Sequence, residues 1–502
     1  MNGKQVRIGA ILSYASIAIN IIAGLIYTPW MIDQIGESSY GLYTLANTLI
    51  TLFLVDFGLS SATSRYVAKY RAEGNQEKID NFLGVVYKLY MIIDALIFAV
   101  LIVIFFLIDT IYVNLTPAEI EQFKVVYIIS ASFAVVNFPF VTFNGILNAY
   151  EKFIQLKAAD LIYRILLVGM TVVALILGYG LYALVAVHSI VGIIIIIYKF
   201  IVLKKSTPVN INLRYREPSL YKDLFGFSIW VTVASLAQRL VFNVTPSVLG
   251  VVTNSVAIAI FGVVATIEGY TYTVTNAING MFMPKIARIY ANNEENGDIN
   301  PLLLKVGRFQ YIVNGLIVAG FAVVGKRFID LWVGPKFELA YYGILLVLIP
   351  GLFYNSLQIA NTAMTVRKKV KTVALVNVAM GVTNILLAFL FAHFFGVVGA
   401  CLSIFVAYMV RAVALNIIYK RVLNINIGAF VRKCYLRMSI PMALSIIIGF
   451  VAEYLIPLSG WWQFIVVGCV TVLVYGISTF AFGLNKNERR RIVSFVGKKV
   501  KK

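Results

Sequence analysis

Arg239 and Glu268 are the residues of this 502-residue chain whose types and placement most invite chemistry. Each stands inside a long apolar stretch, where holding a charge away from water costs a few kcal/mol or more unless a partner, a ligand or a water-filled gap compensates it. A planar guanidinium suits a diphosphate, and a carboxyl group near it sets the local charge or takes a proton. At about 1.5 Å per residue, Arg239 lies roughly 16 Å in from Gly250 and Glu268 roughly 18 Å into the following stretch, which puts both near the middle of a bilayer and at similar depth. Mutual neutralisation between two helices is the competing reading. Asp94 is similarly deep and joins Glu268 as a candidate for coupling to H+ or Na+, against the alternative of a silent capped core residue.

A second group sits nearer the N-terminal side of the membrane: Asp56, Lys88, Asp160, Arg164 and Arg411. Asp160 and Arg164 have the i, i+4 spacing of a pair on one helix face. Lys88 and Arg411 have no such local partner. With Arg239, Glu268 and Arg164 they are predicted to bind substrate in a cavity, while Arg65, Lys69 and Asp56 form an entrance that gathers an anionic head group. Side chains that merely snorkel to the surface give the same pattern.

The elements that hold these residues are helices in lipid. The chain is 60% hydrophobic, only 13% charged, and has a mean hydropathy of +0.87, too apolar for a solvated globule. About fourteen stretches long enough to cross some 30 Å of hydrocarbon run from 8–31 to 462–484, and none alternates as a barrel strand would. An all-α integral membrane fold is predicted. Cys401, Cys434 and Cys469 lack CxxC spacing, and His188 and His393 are the whole histidine complement, so neither a metal site nor a Ser-His-Asp constellation is readily assembled. No catalytic residue or cofactor is predicted, and the chain does not read as an enzyme. A formal charge of +21 suggests nucleic acid at first sight, but the basic residues lie in short loops. With the N-terminus inside, only Lys124, Lys326, Arg327 and Lys336 fall outside, Lys88, Arg164, Arg239 and Arg411 fall within spans, and the other 35 of the 43 face the cytoplasm. Both termini are therefore predicted to be cytoplasmic, the second as the basic tail 485–502.

The chain also repeats itself. Thr28-Pro29 recurs as Thr245-Pro246, Ala68-Lys69 as Ala287-Arg288, and Ile197-Tyr198-Lys199 as Ile418-Tyr419-Lys420, at offsets of 217, 219 and 221. Two six-helix lobes, 1–203 and 224–421, are predicted to be related by an axis along the membrane normal, joined by a cytoplasmic linker 204–223 and followed by a further helix pair at 422–484.

Gly36-Glu37-Ser38-Ser39-Tyr40-Gly41-Leu42-Tyr43, then Asp56-Phe57-Gly58-Leu59 and Ala62, Arg65 and Ala68, resemble the signature of polysaccharide transport proteins. These are the Wzx-type O-antigen and capsule flippases of the multidrug/oligosaccharidyl-lipid/polysaccharide exporter superfamily. The resemblance implies a two-lobed MATE-like exporter in the bacterial inner membrane. Its expected substrate is an undecaprenyl-diphosphate-linked oligosaccharide, carried from inner to outer leaflet by alternating access for O-antigen, capsule or exopolysaccharide assembly. Membrane lipids and polysaccharide polymerase machinery are the implied partners. A multidrug or cation antiporter of the same superfamily and a lipid II flippase are the alternatives. Lipid II flippases resemble one another in having a cavity arginine on the first helix, whereas this chain has no basic residue between Arg7 and Met31.

Overall fold

A computed structural model describes residues 3–53, 56, 58–280, 282–292, 298–367, 369–485 and 488–490. Among them there is no strand, and every long element is a helix, because in lipid each backbone N–H and C=O must find its partner within its own segment. Ten of these helices have the length and hydropathy to cross a bilayer. The longest, α15 (Val370–Leu423, 54 residues), would be about 81 Å long if straight. It bends at Gly396, whose φ of 57° and ψ of −135° suit a residue without Cβ, and so makes two crossings. Adding α1 (Gly3–Ile35), α9 (Pro218–Val252), and α2 (Glu37–Phe53) with α3 (Leu59–Ala72) as one broken span brings the total to about fourteen, as predicted. Most of the predicted basic tail lies outside the described residues.

The chain forms two compact units that do not follow the sequence halves: residues 1–262 with 370–400, and residues 263–369 with 401–502. The first unit contains α1 to α3, α4 (Gln76–Ile111), α5 (Pro117–Asn137), α6 (Thr142–Ala149), α7 (Phe153–Ile176), α8 (Gly180–Ser206), α9, the beginning of α10 (Ser255–Gly280) and the first part of α15. The first part of α15 joins this unit through polar contacts to α9, in which Asn377 Nδ2 donates to the Ala234 carbonyl and Asn384 Nδ2 to those of Val241 and the Thr245 hydroxyl, each at 3.4 Å.

The linker is narrower than predicted, because α8 runs on to Ser206 and α9 starts at Pro218. It lies along the start of α4. Asn210 N donates to Asp80 Oδ1 at 2.9 Å, Asn212 N to the Asp80 carbonyl at 3.1 Å and Asn212 Nδ2 to Asn81 Oδ1 at 2.6 Å. Lys88 Nζ donates to the Tyr215 carbonyl at 2.7 Å, which gives this predicted cavity residue a place under the linker. The contact is close enough that a Cβ on Gly84 would stand 1.9 Å from the Asn212 carbonyl oxygen. Gly84→Ala is therefore expected to lift the linker at a cost of about 1–3 kcal/mol and to speed tryptic cleavage after Arg214 and Arg216 several-fold. An unchanged cleavage rate would show that the linker does not depend on that contact.

The second unit holds the rest of α10 and α15, α11 (Met283–Asn292), α12 (Asn300–Trp332), α13 (Leu339–Tyr354), α14 (Gln358–Val366), α16 (Ile427–Phe430), α17 (Arg437–Leu455) and α18 (Gly460–Ser478). The extra helix pair packs on α12: Tyr475 Oη donates to the Ile312 carbonyl at 3.0 Å and Tyr311 Oη shares a 2.9 Å bond with Ser439 Oγ. Buried Arg308 on α12 pairs with Glu488 at 3.0 Å and also donates to the Gly483 carbonyl, so the chain beyond α18 closes over this arginine.

Candidate functional site

Three places hold Arg239 with Asp56, Glu268 with Arg411, and Arg164. The first is the break between α2 and α3, where Gly58 takes a left-handed φ of 66°. Arg239 on α9 reaches the last turn of α2 beside it, where its Nη1 donates to the Thr51 carbonyl at 2.8 Å. Asp56, in the break itself, accepts from Tyr90 Oη at 2.6 Å and from Ser60 N at 3.1 Å, and Arg239 and Asp56 feel each other's charge. A guanidinium at a helix C-terminus beside a carboxylate is a stable arrangement. Arg239 thus finds its opposite charge in Asp56, a residue predicted for the entrance, within its own unit.

The second place is in the other unit. Glu268 and Tyr272 lie one turn apart on α10, and Arg411 on α15 is buried with its guanidinium 5.6 Å from the Tyr354 ring centroid. Tyr354 and Tyr408 lie with ring centroids 4.9 Å apart, and both feel Glu268 as well as Arg411. Here a carboxylate and a guanidinium of one unit both act on the same pair of tyrosines. The cavity beside Arg411, lined also by Gln358, Asn416 and Tyr419, is small.

The third place is a cavity of about 630 Å³ in the first unit, and it contains Arg164. Helix α1 contributes Asn20, α5 Phe133 and Asn137, α6 Asn144, α7 Asp160, Tyr163 and Arg164, and α8 His188 and Lys199. The i, i+4 pair read from the sequence does not form, because Asp160 bonds Lys157 at 3.1 Å instead. Arg164 has no ion pair or hydrogen bond among the described residues, although its charge reaches Tyr43 and Tyr163. Lys199 Nζ donates to Asn144 Oδ1 at 3.0 Å, and the Tyr163 hydroxyl and His188 Nε2 share a bond of 2.9 Å. Asn20 Oδ1 is buried with no hydrogen-bond partner among the described residues. Two cations, several amides and one carboxylate already engaged make a cavity that would take an anion with hydroxyl or amide groups around it.

Residues 6–290, more than half of the chain, match the family described as polysaccharide biosynthesis protein. The chain belongs to that family. Within the polysaccharide biosynthesis protein family it is 21% identical, over 396 residues, to a protein of Shigella flexneri named as a putative O-antigen transporter, covering 78% of this chain and 92% of that one. Its fold is that of lipid II flippase MurJ in an inward closed conformation, with a TM-score of 0.71, 16% identity and coverage of 95% and 98%. It is also similar to an inward-facing multidrug resistance MATE transporter of the MOP superfamily, with a TM-score of 0.66, 14% identity and coverage of 84% and 99%. The chain is a multi-pass membrane protein of this family, with the fold that those two solved transporters share, as the signature led us to expect.

Seen on this family's fold, Arg65 and Lys69 lie exposed on α3, with Lys69 paired to Glu73 at 3.9 Å. Asp94 sits on the inner face of α4, its Oδ1 buried with no hydrogen-bond partner among the described residues. Lys199, His188, Tyr163 and the three asparagines were not predicted as site residues. The signal for them was polar side chains recurring at isolated positions inside apolar spans, which a search confined to charges far from helix ends passes over.

Proposed function

We propose that this protein moves an undecaprenyl-diphosphate-linked oligosaccharide from the inner to the outer leaflet of a bacterial inner membrane by alternating access, and that Arg164 and Lys199 receive the diphosphate. The observation carrying this is the Arg164 guanidinium, which has no carboxylate partner among the described residues and lines a cavity of about 630 Å³ together with Lys199, His188 and three asparagines. An arginine held in a membrane-spanning segment without a counter-charge is costly unless it meets water or an anionic ligand. The volume suits a diphosphate and the first sugars, while an undecaprenyl chain stays in the bilayer where it costs nothing to solvate. A cation antiporter would require a free carboxylate here, and Asp160 is already held by Lys157. The name of the Shigella flexneri relative, with its O-antigen cargo, supports the same substrate class.

Glu268 and Asp94 are the groups we assign to coupling with H+ or Na+, and both termini face the cytoplasm, where the sugar is assembled; polymerase machinery receives the product on the other side. The experiment is translocation of a fluorescent undecaprenyl-diphosphate oligosaccharide in proteoliposomes, alongside a lipophilic drug cation. Sugar-lipid transport without drug efflux is expected. Drug efflux with no movement of the sugar lipid would replace this function with antiport.

A further inference from the structure

At the membrane face where α1 ends, three chain segments converge on one carboxylate. Glu119, in the first turn of α5, accepts from Thr116 N at 2.9 Å and from Thr116 Oγ1 at 3.0 Å through Oε2, completing a capping box. Its other oxygen, Oε1, does something no cap requires. It accepts from Ser38 Oγ at 2.6 Å, at the start of α2, and also from Ser255 Oγ, at the start of α10. Residues 37–119 belong to the first sequence half and residue 255 to the second, so one carboxylate ties the two halves together on this face. The fit around it is tight: a Cβ on Gly41 would stand 2.0 Å from the Ser255 carbonyl oxygen, and one on Gly250 would stand 3.0 Å from the Tyr112 ring. Asn114 Nδ2 also donates to the Val251 carbonyl, so the turn between α4 and α5 holds the turn between α9 and α10 by a second bond. All these residues lie within one compact unit.

We propose that Glu119, with Ser38 and Ser255, is a clasp that holds this face of the transporter closed, and that the clasp must open once in every transport cycle. The sequence halves of an alternating-access carrier part on each face in turn, and on this face they cannot part while Oε1 bonds both serines. The carboxylate suits the task because it can accept several hydrogen bonds at once and has lone pairs to spare for water when the serines leave. Closure is then strong enough to exclude solvent yet made of bonds that water replaces at little cost. The proposal goes beyond the substrate reading and does not depend on it.

The test uses full-length chain in lipid nanodiscs, accessible from both sides, with Cys469→Ser to remove the exposed native thiol and Ala259→Cys, one turn beyond Ser255 on α10, as reporter. Ala259 is 0% exposed, so a hydrophilic maleimide should react slowly in the parent, and Glu119→Ala should raise the rate at least fivefold, with Glu119→Gln in between. Buried Cys401 and Cys434 should stay unlabelled, which separates opening from unfolding. An equal rate in all three chains overturns the clasp. In a second arm, Ser38→Cys with Ser255→Cys should form a disulfide, since both hydroxyls bond one oxygen and so lie within about 6 Å of each other. Oxidised protein should lose transport of the sugar-lipid probe and recover it on reduction. Transport unaffected by the cross-link also overturns the proposal, whereas absence of transport in the parent bears only on the substrate and leaves the labelling arm to decide.

Discussion

Arg164→Ala is expected to slow transport of an undecaprenyl-diphosphate oligosaccharide by roughly 10- to 150-fold, the equivalent of losing one charged hydrogen-bonded contact worth about 1.5–3 kcal/mol. The effect should be large because nothing else in the cavity replaces this charge: Lys199 is held by Asn144 and the carboxylate nearby adds only repulsion. Arg164→Lys should recover part of the rate, since an ammonium keeps the charge but not the planar fork that grips two phosphate oxygens. Lys199→Ala should cost less, as its ammonium reaches the ligand only by leaving or sharing Asn144. Initial rates in proteoliposomes, normalised to reconstituted protein, measure this, and the melting temperature of each variant in detergent separates transport from folding. A rate for Arg164→Ala within twofold of the parent, at unchanged melting temperature, would remove the cavity from the mechanism.

Asp56→Ala should destabilise the protein by about 2–3 kcal/mol, less than the 3–5 typical of a fully buried ion pair because Asp56 and Arg239 are each half-buried. The loss has three parts: the fully buried Tyr90 hydroxyl loses its acceptor, the first turn of α3 loses its cap at Ser60 N, and Arg239 loses its counter-charge. Arg239→Met should cost a similar amount by uncovering the Thr51 carbonyl. Because the two residues act on the same helix break, the double variant should fall short of the sum by about 1 kcal/mol or more in a thermal or mixed-micelle unfolding series. Additive costs would show the pair to be independent. A transport defect in Arg239→Met with no loss of stability would instead return Arg239 to the substrate path that its depth in the membrane first suggested.

The different fates of Arg239 and Arg164 show how far the sequence could be read. Hydropathy over about twenty residues gives the crossings directly, because lipid imposes one requirement on every segment. Gly36 to Tyr43 and Asp56 to Leu59 carried the family. Depth along a helix is also legible, since the count from a helix end follows directly from a rise of about 1.5 Å per residue. What a linear count does not contain is the azimuth of a side chain or a break in a neighbouring helix. The break at Gly58 put Asp56 beside Arg239, whose guanidinium bonds the Thr51 carbonyl, and Glu268 came to lie with Tyr354 and Tyr408 in the other unit. The i, i+4 rule paired Asp160 with Arg164, but Lys157 at i−3 took the carboxylate and left the arginine to the cavity. Lys88 was read as a cavity cation because its partner is a backbone carbonyl 127 positions away, which no side-chain pattern announces.

The anchoring of residues 207–217 along α4 limits how the second sequence half can move. A free tether of that length would span tens of ångströms and transmit no force between the segments it joins. Sewn down at Asn210, Asn212 and Tyr215, it has no slack to give. The start of α9 is then a fixed pivot, and displacement of the helices that follow must come from tilting about that point or from bending within α9 itself, where Pro246 interrupts the hydrogen-bond ladder.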